Sequence, residues 1–194
     1  NKTALVGFFI VAFMVILAVF APLIAPYDPN AINPVLPFKG IGTQGHLFGT
    51  DDLGRDILSR IIYGSRVSMI VAVGATIVGA IIGVLIGLTA GYFGGWIDSV
   101  LMRVMDGMFS FPFILLAMIL ITVLGNGVMN VILAIGIASV PGFARVTRGQ
   151  VLIVKEEEYC NACRVVGVSP VRLLFLHILP NCVSQIIVYA TLRI

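Results

Sequence analysis

Long apolar runs separated by short polar stretches form the main pattern of this chain. No Asp, Glu, Lys or Arg occurs in 3–27, 67–97 or 107–144. An uncharged apolar stretch of about 18 or more residues is long enough to cross a bilayer as a helix, and a helix satisfies its backbone hydrogen bonds internally. The pattern therefore predicts an all-α fold, a polytopic bundle of transmembrane helices.

Prolines, glycines and charges set the predicted boundaries of the spans. Complete spans are predicted at about 4–24, 67–90, 99–123 and 128–144. Pro141 is expected to kink the last of these, and a fifth apolar run, from Cys182 to Ile194, is too short to cross. The predicted domains are a first span at 1–25, an extracytoplasmic segment at 26–66, and a membrane core at 67–194 that contains a cytoplasmic loop at 145–180.

The distribution of Lys and Arg gives the predicted orientation, because cytoplasmic loops are enriched in these residues. The loop at 145–180 carries five of them. We therefore place this loop in the cytoplasm, and counting back through the spans places the N-terminus there too. Segment 26–66 also carries four Lys or Arg residues, together with four Asp residues.

Four glycines in the second span are spaced by four residues and therefore share one helix face. Glycine on such a face allows the backbone of another helix to approach closely. We predict a helix-packing surface at these positions: Gly79, Gly83, Gly87 and Gly91.

Local polar patterns predict ion pairs and argue against a metal site. Arg103 and Asp106 lie one helical turn apart and are expected to pair. In the extracytoplasmic segment, Asp51 or Asp56 is expected to pair with Arg55 or Arg60, and Leu53 to Tyr63 is predicted as a short amphipathic helix. An EF-hand loop starting at Asp51 would need Glu at its twelfth position, where Ile62 stands.

The composition excludes several classes of function. Only 11% of residues are charged, against about 25% in soluble domains, and the net charge of +3 does not suggest nucleic-acid binding. The three cysteines lie in or beside the cytoplasmic loop, where disulfides are not expected. Cys160 and Cys163 form a single C-x-x-C pair, which we interpret as small residues on a helix, and we expect no metal, cofactor or catalytic residue in this chain.

An energy source for transport is also missing from the sequence. The phosphate-binding loop G-x-x-x-x-G-K-[ST] needs a lysine after a glycine, and none of the three lysines follows one. No charge lies deep in the first, second or fourth predicted span, where ion-driven carriers usually place one. The chain is therefore expected to depend on an energy-supplying partner and not to be an enzyme itself.

The cytoplasmic loop has the pattern of a short helix that can dock on a partner. Residues 156–166 begin with three glutamates, which suit the positive N-terminal end of a helix. Tyr159, Ala162, Cys163 and Val166 share one face. Gly167 is suited to the C-terminal cap, and Ser169-Pro170 to the start of a second helix.

This loop resembles the EAA loop of ABC importer permeases, whose pattern is E-A-A, three residues, Gly, nine residues, I-x-L-P. Asn161 stands at the glutamate position, Ala162 matches, and Cys163 replaces the second alanine. Gly167 and Leu179-Pro180 match at the family spacing. The resemblance implies that the loop docks on an ATPase through the following residues: Glu158, Tyr159, Asn161, Ala162, Cys163, Arg164 and Gly167.

Other segments resemble the dipeptide/oligopeptide/nickel-type members of this family: His46 to Arg60, Gly64 to Ser68, Gly91 to Asp98, and Arg103 to Asp106. The resemblance implies a type I permease fold in the inner membrane, a second permease subunit, two cytoplasmic ATPase subunits that hold ATP and Mg, and an extracytoplasmic binding protein. It also implies that the chain is a fragment lacking the last span and a half.

The resemblance implies di- or oligopeptides as cargo, delivered by the binding protein. Nickel or another small solute carried by the same machinery remains an alternative. A nucleotide-independent channel or secondary carrier is a second alternative, of a different class.

Overall fold

The computed structural model describes residues 2–43 and 45–194; the side chains of Thr3 and Ala4 are not described. The described residues fold into helices joined by turns, and they divide into two compact units, 1–70 and 71–194. The helices are α1 Lys2–Val19, α2 Ala21–Ile24, α3 Ile57–Phe93, α4 Gly95–Phe109, α5 Phe113–Leu124, α6 Val128–Val154, α7 Glu158–Val165, α8 Pro170–Leu173, a π-helical turn Leu174–Ile178, and α9 Leu179–Thr191.

Three helical segments are long and apolar enough to cross a membrane: α3, α6 and the run Pro170–Thr191. The bent pair α4–α5 would be a fourth if it counts as one span. Helix α1 is shorter in its apolar part, Leu5–Val19. The all-α, multi-span fold class predicted from the sequence is confirmed.

The polar segment between α2 and α3 is held by buried hydrogen bonds. Asp56 is only 2% exposed; His46 Nδ1 lies 2.9 Å from its Oδ1, and the Ser59 N–H donates to its Oδ2 at 2.7 Å. Asp51 pairs with Arg55 at 2.7 Å, as predicted. Asp56, the other carboxylate considered, pairs with His46 instead.

Helix α3 is one continuous helix of 37 residues, about 55 Å long. The sequence prediction of a short helix at Leu53 to Tyr63 followed by a separate span at 67–90 was wrong. No proline interrupts 57–93, and Gly64 alone does not end a helix. The chain turns after this helix at Gly94, where φ is +65°.

The predicted straight span at 99–123 is broken in the structure. Helices α4 and α5 meet at an angle of 92° around Ser110 to Pro112. Proline disfavours the α conformation of the residue before it, which explains the break. The expected Arg103–Asp106 pair was also wrong, since Asp106 Oδ1 accepts a hydrogen bond from Arg145 of α6 at 2.6 Å.

Helix α6 is the most buried helix of unit 71–194, and every residue from 138 to 144 is buried. It contacts α4, α5 and α9. We expected this span to end near residue 144, but it continues through Pro141 to Val154. The close packing on several sides compensates for the backbone hydrogen bond that the proline removes.

The last helical run begins earlier than predicted. The apolar run at Cys182 to Ile194 was judged too short to cross, but the helix starts at Pro170 and gives a 22-residue candidate span. Pro180 does not stop it, because the π-helical turn Leu174–Ile178 ends two residues before the proline. A π-helical turn changes the hydrogen-bond pattern where the proline lacks an N–H group.

The four spaced glycines of α3 lie against α6. A Cβ atom placed on Gly83 would be 2.5 Å from Phe143 Cβ and 2.7 Å from the Val140 carbonyl oxygen. At Gly87 it would be 2.5 Å from the Ala144 carbonyl oxygen, and at Gly91 it would be 2.8 Å from Val151 Cβ. Gly79 faces Ser139 in the same way, so the two backbones approach too closely to leave room for side chains along this row.

Replacing Gly83 by Ala should therefore destabilise the protein by about 1–3 kcal/mol through overpacking. Gly149 in α6 has open space around it, so Gly149→Ala should be neutral or stabilising by up to about 1 kcal/mol. Thermal unfolding of both purified variants in detergent measures the difference. Equal stability of the two variants would contradict the close α3–α6 packing.

The buried carboxylate predicts acid sensitivity of the polar segment. Burial acts to raise the pKa of Asp56, but hydrogen bonds from Ser59 and His46 outweigh it and lower that pKa below its usual value. A lowered pKa stabilises the fold above about pH 4, and this contribution is lost as the pH falls further. Asp56→Asn should cost about 1–3 kcal/mol near neutral pH and should reduce the acid sensitivity.

Hydrogen exchange of residues 26–56, corrected for intrinsic rates between about pH 3 and pH 6, tests this prediction. Asp52→Asn is the matched control, because the Asp52 side chain is 63% exposed. If both variants keep the acid sensitivity of the unchanged protein, Asp56 is not its source.

Candidate coupling surface

A short helix, α7, projects from the end of the long helix α6. Glu157 precedes it in an extended conformation, and Glu158 lies in its first turn, where a negative charge is favourable. At the other end Gly167 has φ +82°, and the N–H groups of Gly167 and Val168 donate to the carbonyls of Arg164 and Cys163. The glycine thus closes the helix as its sequence position suggested.

Cys160 anchors α7 to the rest of unit 71–194. It is fully buried, and its thiol lies 3.3 Å from the Val154 carbonyl oxygen, to which it donates. The buried residues packed around Cys160 come from several helical elements. They are Leu88 of α3, Val151 and Val154 of α6, Leu173 of α8, Leu174 and Ile178 of the π-helical turn, and Cys182 of α9. A displacement of α7 therefore acts on several helices at once.

Polar contacts reinforce the same end of the bundle. Arg148 of α6 makes a bidentate pair with Asp98 of α4, with distances of 2.5 and 2.6 Å. Lys155 Nζ donates to the Gly91 carbonyl at the end of α3, at 3.0 Å. Arg164 of α7 donates to the Lys155 carbonyl at 3.2 Å, so α7 is tied to the point where α3 and α6 meet.

Most of the residues predicted to dock on a partner are exposed on α7 or directly after it, and we call these exposed residues the coupling surface. Arg164 also donates to Asn161 Oδ1 at 2.7 Å. Cys163 is an exception: it is half-buried and packs against the internal cluster. The exposed members are Glu158, Tyr159, Asn161, Ala162, Arg164 and Gly167.

The structure shows two exposed residues beside those that the resemblance implies. Val165 and Val166 are 87% and 82% exposed at the tip of α7. Two adjacent apolar residues beside a helix-ending glycine were the available signal, because exposed valines at a helix end often mark a contact surface. The anchoring role of Cys160 was missed as well, since three similar small residues lie within one turn.

Burial also sets the chemistry of the anchor. Removal from water raises the pKa of the Cys160 thiol above its usual value, so the thiol stays protonated and unreactive near neutral pH. All three cysteines are free. Among residues 2–43 and 45–194, no group of three or more His, Cys, Asp or Glu residues is placed to hold a metal ion. Ser169 precedes α8 as predicted, but its hydroxyl makes no capping hydrogen bond.

Comparisons with known proteins place these features in a family. Residues 83–194 match the family described as binding-protein-dependent transport system inner membrane component. Residues 1–38 match the family described as the N-terminal TM domain of oligopeptide transport permease C.

Two similar proteins are both called glutathione transport system permease protein GsiD. The one from Escherichia coli O6:K15:H31 is 42% identical over 184 residues, covering 95% of this chain and 61% of the relative. The one from Salmonella typhimurium LT2 is 46% identical over 188 residues, covering 97% of this chain and 62% of the relative. The chain thus spans about three fifths of the length of these curated relatives.

The cap of α7 can be tested without a partner. A Cβ on Gly167 meets no atom, so a substitution there costs only the strain of its positive φ. Gly167→Asn should preserve α7, whereas Gly167→Val should weaken its last turn by about 1–2 kcal/mol. Hydrogen exchange at residues 163–168 measures the difference, and equal exchange in the two variants would show that the cap does not need this conformation.

Proposed function

Because the chain belongs to the family of binding-protein-dependent transport system inner membrane components, we propose that the full-length protein is a permease subunit of an ATP-driven importer. The single observation that carries the proposal is the exposed helix α7, whose buried anchor joins the ends of α3, α6 and α9. A partner that moves α7 would move these helices together.

The energy source in this proposal is a pair of ATPase subunits in the cytoplasm, which hold ATP and Mg. They contact the coupling surface, and the N-terminus of the chain lies on the same side of the membrane. A second permease subunit completes the pathway, and an extracytoplasmic binding protein delivers the cargo. The family description, which names binding-protein dependence, supports this set of partners.

The proposed cargo is a di- or oligopeptide. Support comes from the match of residues 1–38 to an oligopeptide permease family and from relatives named for glutathione, which is itself a tripeptide. Residues 67–93 of α3 carry no charged side chain, which agrees with an external energy source.

The geometry suggests how force is passed on. Nucleotide-driven closure of the ATPases displaces α7, and the tight cluster around Cys160 transmits the displacement because a close-packed interior deforms little. The Arg148–Asp98 pair carries the motion to α4. The helices then switch between access from the two sides of the membrane, a rigid-body change of packed elements.

A bulky residue on the coupling surface should uncouple the two processes. Ala162 is exposed, so Ala162→Trp should leave membrane insertion intact. It should lower peptide uptake and ATPase stimulation by about tenfold, because the bulky side chain would prevent close contact with the ATPase at this position. Val123→Trp, at an 80% exposed position of α5, is the matched control.

Uptake of labelled peptide and binding-protein-stimulated ATP hydrolysis are measured in vesicles containing the full-length complex. Wild-type uptake and stimulation in Ala162→Trp would refute ATPase docking at this surface. Uptake of peptide without nucleotide would refute the importer proposal itself.

A further inference from the structure

A cationic site lies at the middle of helix α6, away from the coupling surface. Arg193 follows α9, and its Nη2 and Nε donate to the Tyr189 hydroxyl at 2.6 and 3.0 Å. Its guanidinium carbon is 5.7 Å from the centre of the Phe113 ring, at the start of α5. The Tyr189 ring in turn packs edge-on against Phe143 of α6, with centres 4.9 Å apart.

The position of Gly142 shows where this site lies along α6. A Cβ atom on Gly142 would collide with the Tyr189 hydroxyl and would lie 3.3 Å from Arg193 Nη2. Gly142 is 14 residues from Val128 and 12 from Val154, the two ends of α6. At 1.5 Å per residue this is about 20 Å from either end of α6, and Arg145, the first charged residue of that helix, follows three residues later.

The charge at this site has no carboxylate partner among residues 2–43 and 45–194. Arg145 and Arg148 of α6 are neutralised by Asp106 and Asp98, but Arg193 forms no such pair. Its side chain is exposed, and Tyr189 accepts its hydrogen bonds, which leaves the phenolic proton available as a donor. Ionisable residues that face the helices of a membrane bundle are usually retained for a function.

The chemistry of the site selects an anion with planar oxygens. A guanidinium presents paired N–H groups that match a carboxylate, and charge-assisted hydrogen bonds of this kind are short and strong. The phenol adds another donor, and the rings of Phe113 and Tyr189 give the site apolar walls. A bare metal cation would be repelled.

We propose that Arg193 and Tyr189 bind a carboxylate group of the cargo during its passage, the C-terminal carboxylate of a peptide being the simplest case. This inference rests on the proposed function and deepens it, because it names the chemical group that the permease recognises. Gly142 is a positioning residue, since the absence of a side chain there gives Tyr189 and Arg193 their places.

The transport test uses vesicles that contain the full-length permease, its second permease, the ATPases and the binding protein. The cargo is a tripeptide with a free C-terminal carboxylate or the same tripeptide as its C-terminal amide, both supplied at concentrations that saturate the binding protein. In Arg193→Gln, the ratio of free-acid to amide uptake should fall about tenfold, the cost of losing a charge-assisted hydrogen bond. Arg193→Lys and Tyr189→Phe should lower the ratio less.

Arg66→Gln is the matched control, because Arg66 is exposed and makes no ion pair among the described residues; it should leave the ratio unchanged. An unchanged ratio in Arg193→Gln would overturn the inference. Equal loss of free-acid and amide uptake would also overturn it, since that result indicates pairing with a carboxylate of a protein. Absence of peptide uptake by the wild-type complex would instead contradict the proposed function.

A second measurement does not depend on transport. Phenylglyoxal modifies accessible arginines, and mass spectrometry identifies the modified position in the purified full-length permease. The free-acid peptide should protect Arg193 at least several-fold better than the amide, and Arg66 should not be protected. Equal protection by the two peptides, or none, would overturn carboxylate binding at this site.

Discussion

Close packing of α3 against α6 is the interaction on which the rest of unit 71–194 depends. From Gly79 to Gly91 the two backbones approach without intervening side chains, so dispersion contacts replace a hydrophobic driving force that lipid does not supply. This contact brings Leu88 and Val151 together. The cluster in which Cys160 is buried exists only because α3 and α6 end side by side.

The two proposed sites lie at different points along α6. Its end at Val154 carries the coupling surface, with polar ties from Lys155 and Arg148. Its middle, at Gly142, faces the guanidinium of Arg193. A helix that is buried over most of its length connects the two sites, which gives a physical route by which motion at one end reaches the other.

Features that depend on local sequence were predictable. Glycines at a spacing of four and the cap at Gly167 follow from backbone rules that hold without tertiary context. Features that depend on packing were not. The break at Pro112 was missed because a proline inside a membrane helix can be tolerated, as Pro141 is in α6. The early start of the last helical run was missed because a π-helical turn compensates for the N–H that Pro180 lacks.

Side-chain partners were equally hard to assign from sequence. Asp106 has Arg103 one turn away on its own helix, yet it pairs with Arg145, which is 39 residues distant. Arg193 stands near the edge of an apolar run, where sequence alone does not show whether it faces lipid, water or a neighbouring helix. Only the position of Gly142 in the folded chain reveals that Arg193 lies beside the middle of α6.

The π-helical turn Leu174–Ile178 has a further consequence for rotation about the helix axis. A π-helical turn accommodates about one residue more than an α-helical turn, and each residue of an α-helix adds about 100° of rotation. Everything beyond Ile178 is therefore turned by roughly that angle relative to an unbroken α-helix. Deleting a single residue here would swing the Tyr189 phenol and the Arg193 guanidinium away from α6 while leaving the chemical composition of the site untouched.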